Sequence, residues 1–205
     1  MSETASVEPI GKRERAKAAN REAILVAARR VFAQLGYDAA TVRDVIRGTD
    51  LASGTFYNYF RSKEEVYEAL VDDGARRFKP ILRAAHENAA TFEEYLRNAI
   101  AAYFHFIVED NAIEGKPIGE RQPHVRPDAP EMISIYQEVR HSIEDAMNKG
   151  LLPQIDSDYL ACACIGIAQE VGAAMLRRTP LDVDAAASFA ASLILRGLDS
   201  APRKA

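Results

Sequence analysis

Apolar residues recur along this chain at helical rather than strand spacing. Ile24, Ala28, Val31, Phe32 and Leu35 share one face and predict a first helix from about Ala16 to Leu35, with Gly36 suited to its C-terminal cap. Val42, Val45 and Ile46 predict a short helix from about Val42 to Arg47, which Thr41 is placed to cap while Asp44 reaches back to the Thr41 amide. Gly48, Thr49 and Asp50 then break the pattern and turn the chain. Leu51, Phe56 and Phe60 anchor a following helix from Ser53 to Tyr59, leaving Ser53, Gly54, Thr55, Tyr57, Asn58 and Tyr59 largely free to face outward. Ser62 with Glu65 makes a second capping box, so Lys63 lies in the first turn of the next helix.

That next helix carries Val66, Leu70 and Phe78, and Pro80 predicts a kink or a split near Lys79. From about Phe92 to Val108 the apolar residues Tyr95, Leu96, Ile100, Tyr103, Phe104, Phe106 and Ile107 cover too wide an arc for a surface helix, so this segment is expected at the centre of a second domain. Glycines and prolines interrupt residues 110–130, and helices are expected from about Pro130 to Lys149, Ser157 to Arg178 and Asp182 to Arg196. The last two are rich in small residues, among them Ala161, Gly166, Gly172, Ala185, Ala190 and Ala191. Such residues permit close helix approach, either between two copies as a homodimer or within one chain. The fold class is therefore all-α.

The segment from Thr41 to Lys63 carries the clearest chemistry, because two short helices joined by a tight turn form a helix-turn-helix with small hydroxyl, amide and phenol groups on its outer side. Gly54 lets the backbone approach a partner closely, Thr55 and Asn58 suit base edges, and the tyrosines suit phosphates. Lys63, at a helix start, lies beside amides that also attract phosphate. The net charge of −4 looks wrong for nucleic acid until it is divided. Residues 12–63 hold eleven Lys or Arg against five Asp or Glu, a balance of +6 that leaves −10 for the rest. The reading head is locally basic, as phosphate contact requires. Lys12, Arg13, Arg15 and Lys17 precede the first helix and suit an arm along DNA as well as a solvated tail.

From Thr41 through Gly54-Thr55-Phe56-Tyr57 to Tyr59-Phe60 and Ser62-Lys63, the sequence resembles the DNA-binding domain of TetR-type transcriptional regulators over about residues 17 to 70. The resemblance implies an N-terminal helix-turn-helix domain at residues 16–63, after a flexible basic arm at 1–15, and a helical effector-binding and dimerisation domain at 64–205. It makes Arg43, Ser53, Thr55 and Asn58 candidate base contacts, Gly54 the close-approach position, and Thr41, Tyr57, Tyr59 and Lys63 candidate phosphate contacts. Thr49-Asp50 stands where the family usually has alanine-glycine, Ala52 where it often has a capping serine, and Tyr59 where histidine is frequent. The implied function is a dimeric repressor on a palindromic operator of double-stranded DNA, released by a small-molecule effector. The implied dimer forms through the helices at about 157–178 and 182–196.

Tyr103, His105, Phe106, Tyr136, Arg140 and His141 flank the irregular segment and offer aromatic walls with a few polar groups, which describes a ligand pocket and equally a packed core. Arg121, His124 and Arg126 within that segment either attract an anionic ligand or face water. A carboxylate-bridged metal bundle needs two Glu-x-x-His pairs, and this chain has one such spacing, from Glu138 to His141. No phosphate-binding glycine loop, nucleophile elbow or His-Glu-x-x-His motif is present. The expectation is a non-enzyme without cofactor or metal, the rival reading being a helical interaction module that keeps the fold without binding DNA. Cys162 and Cys164 point in different directions on one helix and are expected as small buried hydrophobes. The N-terminus has no signal-peptide pattern and no stretch reads as a membrane span, so a cytoplasmic location is expected.

Overall fold

The computed structural model describes residues 11–111, 130–198 and 200–203, and every regular element among them is a helix. In chain order these are α1 (Lys12–Leu35), α2 (Val42–Arg47), α3 (Ser53–Tyr57), α4 (Lys63–Glu87), α5 (Phe92–Asn111), α6 (Pro130–Asn148), α7 (Ser157–Leu176) and α8 (Val183–Leu198). The all-α class and the N-terminal helix-turn-helix followed by a helical C-terminal domain are as the residue pattern predicts.

Two apolar cores form. Ile24, Leu25, Ala28, Val45, Phe56, Phe60 and Val66 join α1 to α4 in the first. Phe78, Leu82, Leu96, Phe104, Ile143, Ala161, Met175, Ala190 and Ile194 join α4 to α8 in the second. Helix α4 belongs to both, its N-terminal half contributing Val66 and Ala69 and its C-terminal half Phe78 and Leu82.

Several boundaries differ from expectation. Helix α1 starts at Lys12, so Lys12, Arg13 and Arg15 are its first turn rather than the end of an arm. Helix α3 stops at Tyr57, which leaves Tyr59 beyond it, half-buried against the first core. Pro80 neither splits nor ends α4. A proline removes one helical hydrogen bond, but Phe78, Leu82 and Ala85 are buried around it, and packing outweighs that loss.

The small residues of the last two helices serve two ends. Gly172 packs within the chain, where an added Cβ would stand 2.8 Å from Ile107 Cδ1 and 3.3 Å from Phe104 Cε1. Ala161, Ala190 and Ala191 are likewise buried. On the opposite side Tyr159, Cys162, Ala163, Ala185, Phe189 and Leu193 are exposed, and Cys162 is thereby not the buried hydrophobe its spacing suggests. Cys164 is buried, and its thiol is pushed up to about 12 by that burial. Helix α7 is also long and apolar enough to cross a membrane by length and composition, contrary to the sequence expectation. Part of that apolarity enters the second core, through Leu160, Ala161, Cys164 and Met175.

Candidate functional site

The reading head is assembled by local hydrogen bonds. Thr41 caps α2 through a reciprocal box: Asp44 N donates to Thr41 Oγ1 at 3.3 Å and Thr41 N donates to Asp44 Oδ2 at 3.0 Å. The Thr41 hydroxyl also donates to Asp44 Oδ2 at 2.6 Å, which holds the Asp44 carboxyl below its ordinary range. Gly48 lets α2 approach α1, since a Cβ there would stand 3.2 Å from Ala27 Cβ. Thr49 stitches the turn, donating to the Ile46 carbonyl at 2.8 Å and accepting from Leu51 N at 3.2 Å. Helix α3 has no side-chain cap at Ala52, so its entry is fixed by that threonine and by Phe56, which is fully buried.

Burial of Phe56 and Phe60 turns the other face of α3 outward. Ser53, Gly54, Tyr57 and Asn58 are exposed, Thr55 is half-buried, and Arg43 is exposed on α2. Tyr57 stands edge-on to Phe56 with ring centroids 5.4 Å apart. An added Cβ at Gly54 meets nothing within 4 Å, so no contact inside the protein requires glycine there.

Lys63, an expected phosphate contact, also makes contacts within the protein. Its ammonium donates to the carbonyls of Tyr37 at 2.9 Å, Asp38 at 3.2 Å and Ala40 at 3.2 Å, so its three N–H groups serve the α1–α2 loop. Ser62 caps α4 by accepting from Glu65 N, but Glu65 Oε2 accepts from Arg61 N at 2.7 Å rather than from Ser62, so the box is displaced by one residue. Burial, with a hydrogen bond to Glu64, pushes the Tyr37 phenol up to about 12.

A cavity of about 570 Å³ lies along α4 and α5. Its wall on α4 runs from Tyr67 to Leu82 and on α5 from Phe92 to Asp110, spans of about 22 and 27 Å at 1.5 Å per residue. The two helices are antiparallel, as the pairs Arg77–Asp110 and His86–Tyr95 require. The far end is apolar, with Leu82, Phe92, Leu96, Val139 and Ile143. The end next to the reading head is lined by Arg29, Tyr37, Tyr67 and Asp110.

Of the ligand residues proposed from sequence, Tyr103 and Phe106 line this cavity. Tyr103 is half-buried, and desolvation pushes its phenol up to about 12. His105 is exposed on another face of α5. Tyr136, Arg140 and His141 lie on the outer side of α6: Tyr136 donates to Asp158 Oδ1 at 3.1 Å, Arg140 pairs with Glu144 at 2.8 Å, and the His141 ring is 6.0 Å from His86. Arg121, His124 and Arg126 lie outside the described residues. Glu138 is turned away from His141 into ion pairs with Arg83 and with Lys79. Sequence reasoning did not assign Phe78, Leu82 or the three residues Ile135, Val139 and Ile143 to a pocket, although their spacing of four is the signal that marks the wall.

The family model described as bacterial regulatory proteins, tetR family, matches residues 24–70. A Bacillus subtilis HTH-type transcriptional regulator, YhgD, is 27% identical over 149 residues, 67% of this chain and 74% of that protein. An HTH-type transcriptional repressor of Mycobacterium tuberculosis is 38% identical over 64 residues, 31% of this chain and 34% of its own length. Among solved structures, FadR from Bacillus subtilis in complex with stearoyl-CoA superposes with a TM-score of 0.72 at 21% identity, covering 86% of this chain and 98% of that one. With the capped α2, the turn at Gly48-Thr49 and the outward face of α3 all inside the matched region, residues 24–70 form a helix-turn-helix domain of the tetR family of bacterial regulatory proteins.

Proposed function

We propose that this protein is a dimeric repressor that reads a palindromic operator through α3 and releases it on binding an effector between α4 and α5. The observation that carries this reading is the shared position of α4. Its first residue fixes the loop that leads into the helix-turn-helix, and its middle walls the cavity. In this reading residues up to about 63 are the DNA-binding unit and 64–205 the effector and dimerisation unit. Arg43, Ser53, Thr55 and Asn58 meet base edges, Gly54 lies against the DNA backbone, and Thr41, Tyr57 and Tyr59 meet phosphates. Half-sites would stand about one helical turn, ~34 to 36 Å, apart.

Dimerisation is supported by the exposed residues Tyr159, Cys162 and Ala163 on α7 and Ala185, Phe189 and Leu193 on α8. A second copy covers these helices most simply, since the large apolar side chains Tyr159, Phe189 and Leu193 are exposed among small residues. The volume lies within the range of roughly 300 to 1,000 Å³ usual for small-molecule sites. Its length and apolar far end suit an elongated, mainly apolar effector, and long acyl compounds such as the one in the FadR complex are the first to test. The effector acts by favouring a conformation whose two reading heads no longer match the half-sites. The protein works on DNA in the cytoplasm.

Selection of bound sequences from random duplex DNA tests the reading. A palindrome with two half-sites about a turn apart is expected. No enrichment from a folded, dimeric protein would overturn it in favour of a helical interaction module.

A further inference from the structure

Arg29 projects from α1, in the reading head, yet lines the cavity that belongs to the second core. Its Nη2 donates to Asp73 Oδ2 on α4 at 3.1 Å, and its Nε stands 3.7 Å from Asp110 Oδ1 on α5. Both aspartates have a second arginine. Arg77 Nε donates to Asp73 at 2.9 Å and Arg77 Nη2 to Asp110 at 2.6 Å, while its guanidinium stacks 5.2 Å over the Phe106 ring. Arg76 adds a further contact to Asp73 at 3.5 Å. The four side chains Arg29, Asp73, Asp110 and Arg77 are therefore an exchangeable set. If Arg29 is drawn to another anion, neither aspartate is left without a cation, and the cost of stranding a partly buried charge is avoided.

We propose that the head-proximal end of the cavity is an anion subsite in which Arg29 takes the charged head of a long-tailed amphiphile, the tail lying between α4, α5 and α6. The geometry fits such a molecule at both ends. Leu82, Phe92, Leu96 and Ile143 close the far end without charge, and the planar guanidinium at the near end matches a carboxylate or phosphate. Binding there has a second effect, because Arg29 is the α1 member of a link whose other members are on α4 and α5. An anionic head group exchanges a bond between reading head and effector domain for a bond between reading head and ligand.

This inference rests on the reading of the cavity as an effector site. It is tested on the full-length protein by titration with palmitate and with hexadecanol, two probes sharing a sixteen-carbon tail and differing in charge. Wild type is expected to bind palmitate at least tenfold more tightly, and Arg29→Gln to abolish that preference while leaving hexadecanol affinity unchanged, which also shows the cavity intact. Asp110→Asn, which leaves Arg29 in place and removes a competing carboxylate, is expected to tighten palmitate several-fold. Equal affinity for the two probes in wild type, an undiminished preference in Arg29→Gln, no effect of Asp110→Asn, or binding of neither probe would each overturn the subsite. DNA selection, run without any amphiphile, separates that failure from failure of the repressor reading.

Discussion

The ammonium of Lys63 stands 4.5 Å from the centroid of the Tyr37 ring and donates to the carbonyl of the same residue at 2.9 Å. A cation at the start of α4 thus holds the loop between α1 and α2 by its face and by its backbone. Since Asp38 and Ala40 accept from the same group, three of the four carbonyls from Tyr37 to Ala40 are gathered on one nitrogen.

Lys63→Met should therefore destabilise the free protein, not only its DNA complex. Removing a charged donor from part-buried carbonyls costs roughly 1 to 3 kcal/mol, and chemical denaturation measures it directly. A variant of wild-type stability whose DNA-binding salt dependence is shallower by about one unit would instead assign the ammonium to phosphate.

Gly54→Ala tests the opposite case, a position free of internal contacts. Stability should hold or rise slightly, because the site has open space and alanine is the better helix former by about 1 kcal/mol. Affinity for the selected operator should fall at least tenfold. Equal DNA affinity would remove α3 from close contact with the backbone.

Alanine at Thr55 or Asn58 should relax discrimination at particular operator positions by about 1 to 3 kcal/mol per base contact. Binding competition between matched and mismatched duplexes reads this out, and a uniform loss across sequences would shift both residues to phosphate contacts.

Acid should weaken the start of α2. The Asp44 carboxyl is held low by the hydrogen bond from the Thr41 hydroxyl, so it contributes stability that is complete above the ordinary aspartate value of 3.8 and is lost as pH falls through the lower folded value. Asp44→Asn should flatten this part of the pH–stability curve, followed by thermal melting between neutral pH and pH 3. An unchanged curve would place the acid sensitivity elsewhere.

If the proposed dimer forms through α7 and α8, Phe189→Glu should give a monomer with helix content unchanged, since Phe189 is 61% exposed within the chain. Light scattering after size exclusion reports the mass. A dimer that survives this change and Leu193→Arg would not use the α7–α8 face.

The reading head was legible in the sequence because its determinants are local. Thr41 and Asp44 are three residues apart, the turn follows at Gly48-Thr49, and Phe56 and Phe60 fix which side of α3 is left outward. The cavity was legible only in part. Periodicity marks Ile135, Val139 and Ile143 as one stripe of α6, but the attraction of aromatic and basic residues for a pocket points to Tyr136, Arg140 and His141 on its outer face. Arg29 could not be found that way at all. Its place in the wall depends on α1 meeting α4 and α5 in three dimensions, 44 residues from Asp73 along the chain. Lys63 shows the same limit, as its partners lie 23 to 26 residues away.

The cavity wall combines α1, α4, α5, α6 and α7, so it exists only while both cores are formed. Any compound that fills it adds its binding free energy to the folding equilibrium, roughly 2.7 kcal/mol at a hundred times the dissociation constant. For a chain of this size that is a rise in melting temperature of about 5 to 10 °C. Occupancy of the cavity is thereby readable by heat alone, and a compound collection can be sorted on the melting curve with no DNA in the assay.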